Sequence, residues 1–246
     1  MRAHFGGSSR KSLVASRASL DAAVKGADAN SASALSSELF FVADVLSNNI
    51  AVRRALTDPS RDGKSKAAFI SELFGKKIGA LALGLVTELS SLRWSAPKDL
   101  VLVLEQLAIE AEASAANIAG ELDRVEDEIF TAAAAFASST ELRKALTSDA
   151  TNAKATLVAD ILKGASGSTV KLVSQMVNAW RGRSIESAFA DYQAALAARR
   201  NRVIAVVRVA APLSQAQQDR LAAALNKQVG QPVRMNIEID PAVLGG

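Results

Sequence analysis

Cysteine is absent from the 246 residues, which excludes disulfides and thiolate metal ligation and suits a reducing compartment. The single histidine, His4, stands at the N-terminus, where it can neither complete a triad nor anchor a metal site. Aromatic residues make up only 4% of the chain. Cores must therefore be built from Leu, Val, Ile and Ala. Alanine adds little burial but has the best helix propensity, so stability has to come from long helices with close backbone approach. The longest apolar runs, such as Leu100–Leu104, fall far short of the roughly 18–20 residues a membrane helix needs. No direct membrane insertion is expected.

What is present reads as a folded globular protein, with 49% hydrophobic and 22% charged residues. The length suits two or three modules. A net charge of +4 could mean nucleic acid or an acidic surface, but the positive charges are scattered and nearly matched by acidic ones. From Met1 to Leu20 there is no acidic residue, and Arg2, Arg10, Lys11 and Arg17 sit among serines. That composition resembles a transit peptide. The better reading is a first helix with Leu13, Leu20 and Val24 along one side, because a later helix repeats its role.

An internal repeat is visible. Glu38–Leu46 leads to Val52-Arg-Arg-Ala-Leu-Thr57; about ninety residues on, Glu128–Phe136 leads without a gap to Leu142-Arg-Lys-Ala-Leu-Thr147. Downstream, Phe69–Phe74 matches Leu157–Leu162, and Leu85-Val-Thr-Glu-Leu89 matches Leu172-Val-Ser-Gln-Met176. Each copy then reaches a tryptophan, Trp94 or Trp180. Solenoids need more units than two, so this repeat predicts tandem domains.

Each copy reads as helices, in the first at 9–26, 33–48, 50–56, 64–75, 77–93 and from 97 onward. Pro59 ends the short third helix, Gly26 and Gly75 stand at C-terminal caps, and Pro97 suits a first turn. Leu100, Leu104, Leu107, Ala111, Ala115 and Ile118 continue at helical spacing towards Leu122, Val125, Ile129 and Phe136. The segment from Pro97 must close the first bundle and also open the second, since no other residues are available. One shared helix over about 97–118, broken near Gly120, is therefore predicted.

After Ala198 the period changes to two. Val203, Ala205, Val207 and Val209 alternate with Ile204, Val206 and Arg208, and Val233, Met235, Ile237 and Ile239 alternate with more polar residues. Between them Ser214-Gln-Ala-Gln217 forms a capping box for a helix that Gly230 and Pro232 stop. The expectation is mainly α: two tandem six-helix-type bundles sharing a helix, followed by a small α/β (β-α-β) module. The corresponding boundaries are 1–104, 105–198 and 199–246.

No reactive constellation emerges, and no catalytic residue, metal site or cofactor is expected. Gly63-Lys64-Ser65 imitates the end of a phosphate loop, but Asp58 stands where the motif needs glycine and no strand precedes it. Asp58, Ser60, Asp62 and Gly63 imitate a calcium loop whose closing glutamate is Phe69. Glu121, Asp123, Glu126, Asp127 and Glu128 read as a solvated helix face. Arg181, Arg183, Arg199, Arg200 and Arg202 read as solvated flanks of a helix rather than an acidic-partner contact.

Leu142-Arg-Lys-Ala-Leu-Thr, then Tyr192-Gln-Ala-Ala-Leu-Ala-Ala-Arg-Arg-Asn-Arg-Val-Ile-Ala-Val-Val-Arg-Val-Ala-Ala-Pro-Leu-Ser, then Ile239-Asp-Pro-Ala-Val-Leu-Gly-Gly, in that order, resemble the delta subunit family of F-type ATP synthases, which includes the mitochondrial oligomycin-sensitivity-conferring protein. The resemblance is dense over 120–246 and reaches the first copy through the repeat. It implies a peripheral-stalk subunit that is not an enzyme and carries no cofactor. Its partners would be the N-terminal helices of ATP synthase alpha subunits, held by helix-in-groove packing, and the b subunits of the stalk. Its place would be the cytoplasmic face of the bacterial plasma membrane, peripheral through the complex.

The groove implied lies between the first and fifth helices of each copy: Leu13, Arg17, Leu20, Leu81 and Leu85, with Leu172 and Met176 in the second. Val207, Val209, Met235, Ile237 and Ile239 are the stalk-facing residues of the last module. Two copies where most members have one would let each hold a different alpha chain. The sequence stops at Gly246, where the family continues through further strand and a last helix. The alternative from another class is a basic helical nucleic-acid-binding protein, which would need a clustered basic face with stacking aromatics.

Overall fold

The computed structural model describes residues 5–147, 151–199, 203–229 and 233–239. The first helices are α1 (Gly7–Val24), α2 (Ala29–Asn48), α3 (Ile50–Thr57), α4 (Gly63–Phe74) and α5 (Ala80–Ser91), followed by the long α6 (Pro97–Ile118). Then come α7 (Leu122–Ser138), α8 (Thr140–Thr147), α9 (Thr151–Ile161), α10 (Gly167–Asn178) and α11 (Ile185–Arg199). The chain continues through β1 (Val203–Val209), α12 (Gln215–Val229) and β2 (Val233–Ile239).

Helix starts follow local chemistry. Asp28 accepts from the Ser31 amide at 2.7 Å, Asp62 from that of Ser65 at 2.9 Å, and Ser166 from that of Thr169 at 3.2 Å. The Asp62–Ser65 contact thus turns the phosphate-loop lookalike into an ordinary helix start. Pro97 opens α6, and both α1 and α6 are followed by a left-handed glycine, Gly26 at φ 76° and Gly120 at φ 75°. Gly75 ends α4 without left-handed backbone: its φ is −58°, and its amide donates to Ser71 O.

The packing recurs along the chain. α1 packs on α5 and α6, α2 on α3, α5 and α6, and α4 on α5. Further on, α6 packs on α10 and α11, α7 on α8, α10 and α11, and α9 on α10. The matched helices α3 and α8 are both 8 residues long, and α5 and α10 both 12. The helix expected over 97–118 is continuous. Around it α2 makes the most extensive helix–helix packing among the described residues. Both helices bury small residues, Ala32 and Ala43 on α2 and Ala108, Ala111 and Ala115 on α6, which suits close approach.

One detail departs from the apolar-side reading of α1. Its buried row is Ser9, Ser12, Ser16, Leu20 and Val24, with Leu13 only half-buried. The serines are buried because each has a partner: Ser9 Oγ donates to Asp99 at 2.7 Å, Ser12 Oγ to Arg93 O at 2.6 Å and Ser16 Oγ to Ser12 O at 2.7 Å. Ser9 and Ser12 tie the start of α1 to the α5–α6 turn and the first turn of α6, while the Ser16 bond stays within α1.

The final module is a β-α-β unit. β1 and β2 are parallel, with Val203 opposite Val233 and Val209 opposite Ile239, and α12 packs on β2. The capping box forms: the Ser214 amide donates to Gln217 Oε1 at 2.8 Å and the Gln217 amide to Ser214 Oγ at 3.4 Å. Gly230 and Pro232, expected to stop α12, lie outside the described residues, as do Arg200, Arg202 and the segment after Ile239.

Candidate interaction site

α6 is buried on nearly every side. From Asp99 to Ala116 only Leu102 and Gln106 keep appreciable exposure. Three glutamates on it, Glu105, Glu110 and Glu112, are each 2% exposed, which is tolerable only if each carboxylate is paired. Arg17 of α1 holds Glu110 at 2.6 Å. Lys171 of α10 holds Glu112 at 2.9 Å, with the Ser168 hydroxyl donating to it at 2.7 Å. Arg181 and Arg183, in the α10–α11 turn, hold Glu105 at 2.8 and 2.6 Å.

The same cations reach α2. Arg181 also pairs with Asp44, and the Lys171 ammonium donates to Ser33 O at 3.0 Å and to the Ser33 hydroxyl. Arg181 adopts φ 51°, a left-handed backbone that is costly for a residue with a Cβ, and its two ion pairs hold it there. Burial works against the charge on Arg183, yet Glu105 and Asp191 leave its affinity for the proton raised. Burial also drives the Tyr192 hydroxyl well above its ordinary range, reinforced by the Glu105 carboxylate it contacts at 3.3 Å. Arg181 and Arg183 are thus internal ties rather than solvated flanks, and Arg199 pairs with Asp21 of α1.

The groove residues marked by the sequence separate into three groups. Leu20, Leu85, Leu172 and Met176 are core residues between 0 and 4% exposed, with no surface to offer in this conformation. Leu13 and Arg17 face away from α5, into a cleft of about 340 Å³ between α1, α6 and α11 that Leu102, Gln106 and Ala194 also line. Leu81 stands on the surface of α5, 49% exposed. α1 and α5 do lie side by side, with Ser19 Oγ donating to Glu88 at 2.6 Å across the seam. Exposed Ala15 and Ala22 on α1 and exposed Gly84 on α5 flank that contact, and a Cβ built on Gly84 would meet nothing within 4 Å.

In the last module Val207, Val209, Met235 and Ile237 are partly covered, and Ile239 is 56% exposed. The acidic run of α7 is less solvated than its sequence implies. Glu126 is buried, and Glu128 accepts from the Ser166 amide at 2.9 Å and the Thr169 hydroxyl at 2.6 Å, fixing the start of α10. Among the described residues no acidic or histidine cluster is arranged to hold a metal ion, and no helix is long and apolar enough to cross a membrane. Phe40, Phe74, Phe136 and Tyr192 are all fully buried, leaving them unable to stack on bases.

The sequence places α6 in both bundles, but the ion pairs of its glutamates are not among the expectations above, although a signal for them exists. A helix that serves two cores must be buried on both faces, so its glutamates must be internal and need cations from each side.

The family model described as ATP synthase delta (OSCP) subunit matches residues 110–246, starting in the middle of α6. The ATP synthase subunit delta of Streptomyces coelicolor is 43% identical over 243 residues, 98% of this chain and 88% of its own length. That of Streptomyces griseus is 41% identical over 97% of this chain and 89% of its own. That of Kineococcus radiotolerans is 39% identical over 98% and 88%. The chain belongs to the ATP synthase delta (OSCP) subunit family.

Proposed function

We propose that the chain is a stator clamp that does no chemistry itself. It holds the N-terminal helices of ATP synthase alpha subunits on the catalytic head and links them to the b-subunit stalk, so that the head resists rotor torque. Its place is the cytoplasmic face of the bacterial plasma membrane, peripheral through the complex. In this reading the chain divides into bundles at 1–104 and 105–198 and a module at 199–246, with α6 common to both bundles.

The observation that carries the reading is family membership across nearly the whole chain, joined to the burial of α6. A bracket under torque needs its parts to move together. A helix whose faces are consumed by both halves, and whose buried carboxylates are paired from both, supplies that stiffness. The alpha-subunit helix would lie along α1 and α5 over Ala15, Ala22, Leu81 and Gly84, by helix-in-groove packing. Val207, Val209, Met235, Ile237 and Ile239 would meet the b subunits, adding apolar cover to a sheet of only two strands, which is marginal alone.

Affinity purification of the tagged chain from cells expressing the whole complex tests this. Alpha and b subunits should co-purify at fixed ratios, and removal of residues 199–246 should release b while retaining alpha. Recovery of the chain without either subunit would sink the proposal.

A further inference from the structure

We infer that only one of the two equivalent helix grooves is open, and that the second is filled in cis by α2. This deepens the helix-in-groove reading above and rests on it. By the repeat, α5 corresponds to α10, the two helices aligning end to end over 12 residues. α6 stands in the second copy where α1 stands in the first, each packed on the corresponding fifth helix.

The two pairs differ in what lies over them. α1 buries only Ser9, Ser12, Ser16, Leu20 and Val24, so most of its circumference faces solvent. α6 is buried continuously from Leu107 to Ala116, and α2 runs along it. A helix laid over the α6–α10 seam would meet α2, whose Ser33 carbonyl already accepts from Lys171 of α10.

The side chains of the fifth helices record the same difference. Gly84, with open space where a Cβ would stand, aligns with Lys171, and exposed Leu81 aligns with Ser168. In the first copy these positions leave an apolar, unobstructed surface. In the second, Ser168 and Lys171 both bond Glu112, and Lys171 extends to the backbone carbonyl of Ser33 on α2. At the other end of α2, Asp44 is held by Arg181. The repeated groove has been converted into an internal joint, with polar residues at the positions that stay apolar and open in the first.

The chain therefore takes one alpha-subunit helix, at α1 and α5. The experiment is calorimetric titration of the full chain with a synthetic peptide of the alpha-subunit N-terminal helix from the same complex, alongside amide hydrogen exchange. One peptide should bind per chain, protecting residues 80–91 and leaving 167–178 unchanged. Gly84→Trp and Leu81→Asp should each weaken binding at least tenfold while thermal unfolding is preserved. Two peptides per chain, or protection of 167–178, overturns the single-groove inference alone. No binding at all overturns the helix-in-groove reading together with it.

Discussion

Glu105 is the residue on which most of the joint converges. Its carboxylate is 2% exposed and touches Arg181, Arg183 and the Tyr192 hydroxyl. Replacing one partner of a buried ion cluster leaves the others charged and unsolvated, which costs about 3–5 kcal/mol. Glu105→Ala should therefore lower stability by that amount in a denaturant titration, more than an exposed-pair change such as Arg208→Ala, where the median pair is worth about 0–1 kcal/mol. Equal effects would show that the cluster contributes nothing special. Glu128 gives a pH signature. Burial raises its pKa, but hydrogen bonds from Thr169, Ser166 and Arg124 outweigh that and hold it at about 2, against an ordinary 4.5. A carboxylate depressed in the folded state stabilises above its unfolded pKa, and that stabilisation is lost as pH falls from 4.5 towards 2. The melting temperature of the natural chain should therefore drop more steeply across that window than that of Glu128→Gln. At neutral pH the same substitution should cost about 1–3 kcal/mol.

At the scale of elements, α6 ends at a left-handed glycine. Gly120, at φ 75°, lets the chain pass from α6 into α7 within three residues. A Cβ there meets no neighbour, so Gly120→Ala should cost only the left-handed backbone penalty of about 1–2 kcal/mol. Gly84→Ala, in an exposed helix interior with open space, should instead stabilise by about 1 kcal/mol; thermal melts of the pair would show opposite signs. Much of the element order was legible from residues: Pro97 and Gly120 bracket α6, and the alternation of Val207, Val209, Ile237 and Ile239 marks the strands. The site was far less so. Leu20, Leu81, Leu85, Leu172 and Met176 share one residue character, and spacing within a single helix cannot say which of its faces a neighbour will cover. Leu13 and Arg17 stand on the α6 side of α1 and not in the α1–α5 seam expected of them, because the buried row of α1 is partly serine and not the leucine row that spacing suggests. Long-range pairing, such as Arg17 with Glu110, has no local pattern at all.

The whole molecule should behave differently in its helical and mixed parts. Leu20 and Leu39 from the first copy, Leu104 from α6, and Phe136 and Tyr192 from the second belong to one continuous core. If the first copy unfolded alone, α6 would expose the faces that α1 and α2 cover, and Arg181 and Lys171 would lose Asp44 and Ser33. The second copy would then carry an apolar helix flank and incompletely paired cations into water, so partial unfolding is disfavoured. Calorimetry should accordingly show residues 7–199 melting in one cooperative transition, and Leu39→Ala and Phe136→Ala should shift that same peak, each costing about 2–5 kcal/mol. Two resolved helical transitions, each sensitive to only one substitution, would mean that α6 does not couple the halves. The clamp proposed above would yield first at the weaker half if the halves were independent, so the number of transitions reports the coupling that the proposal requires.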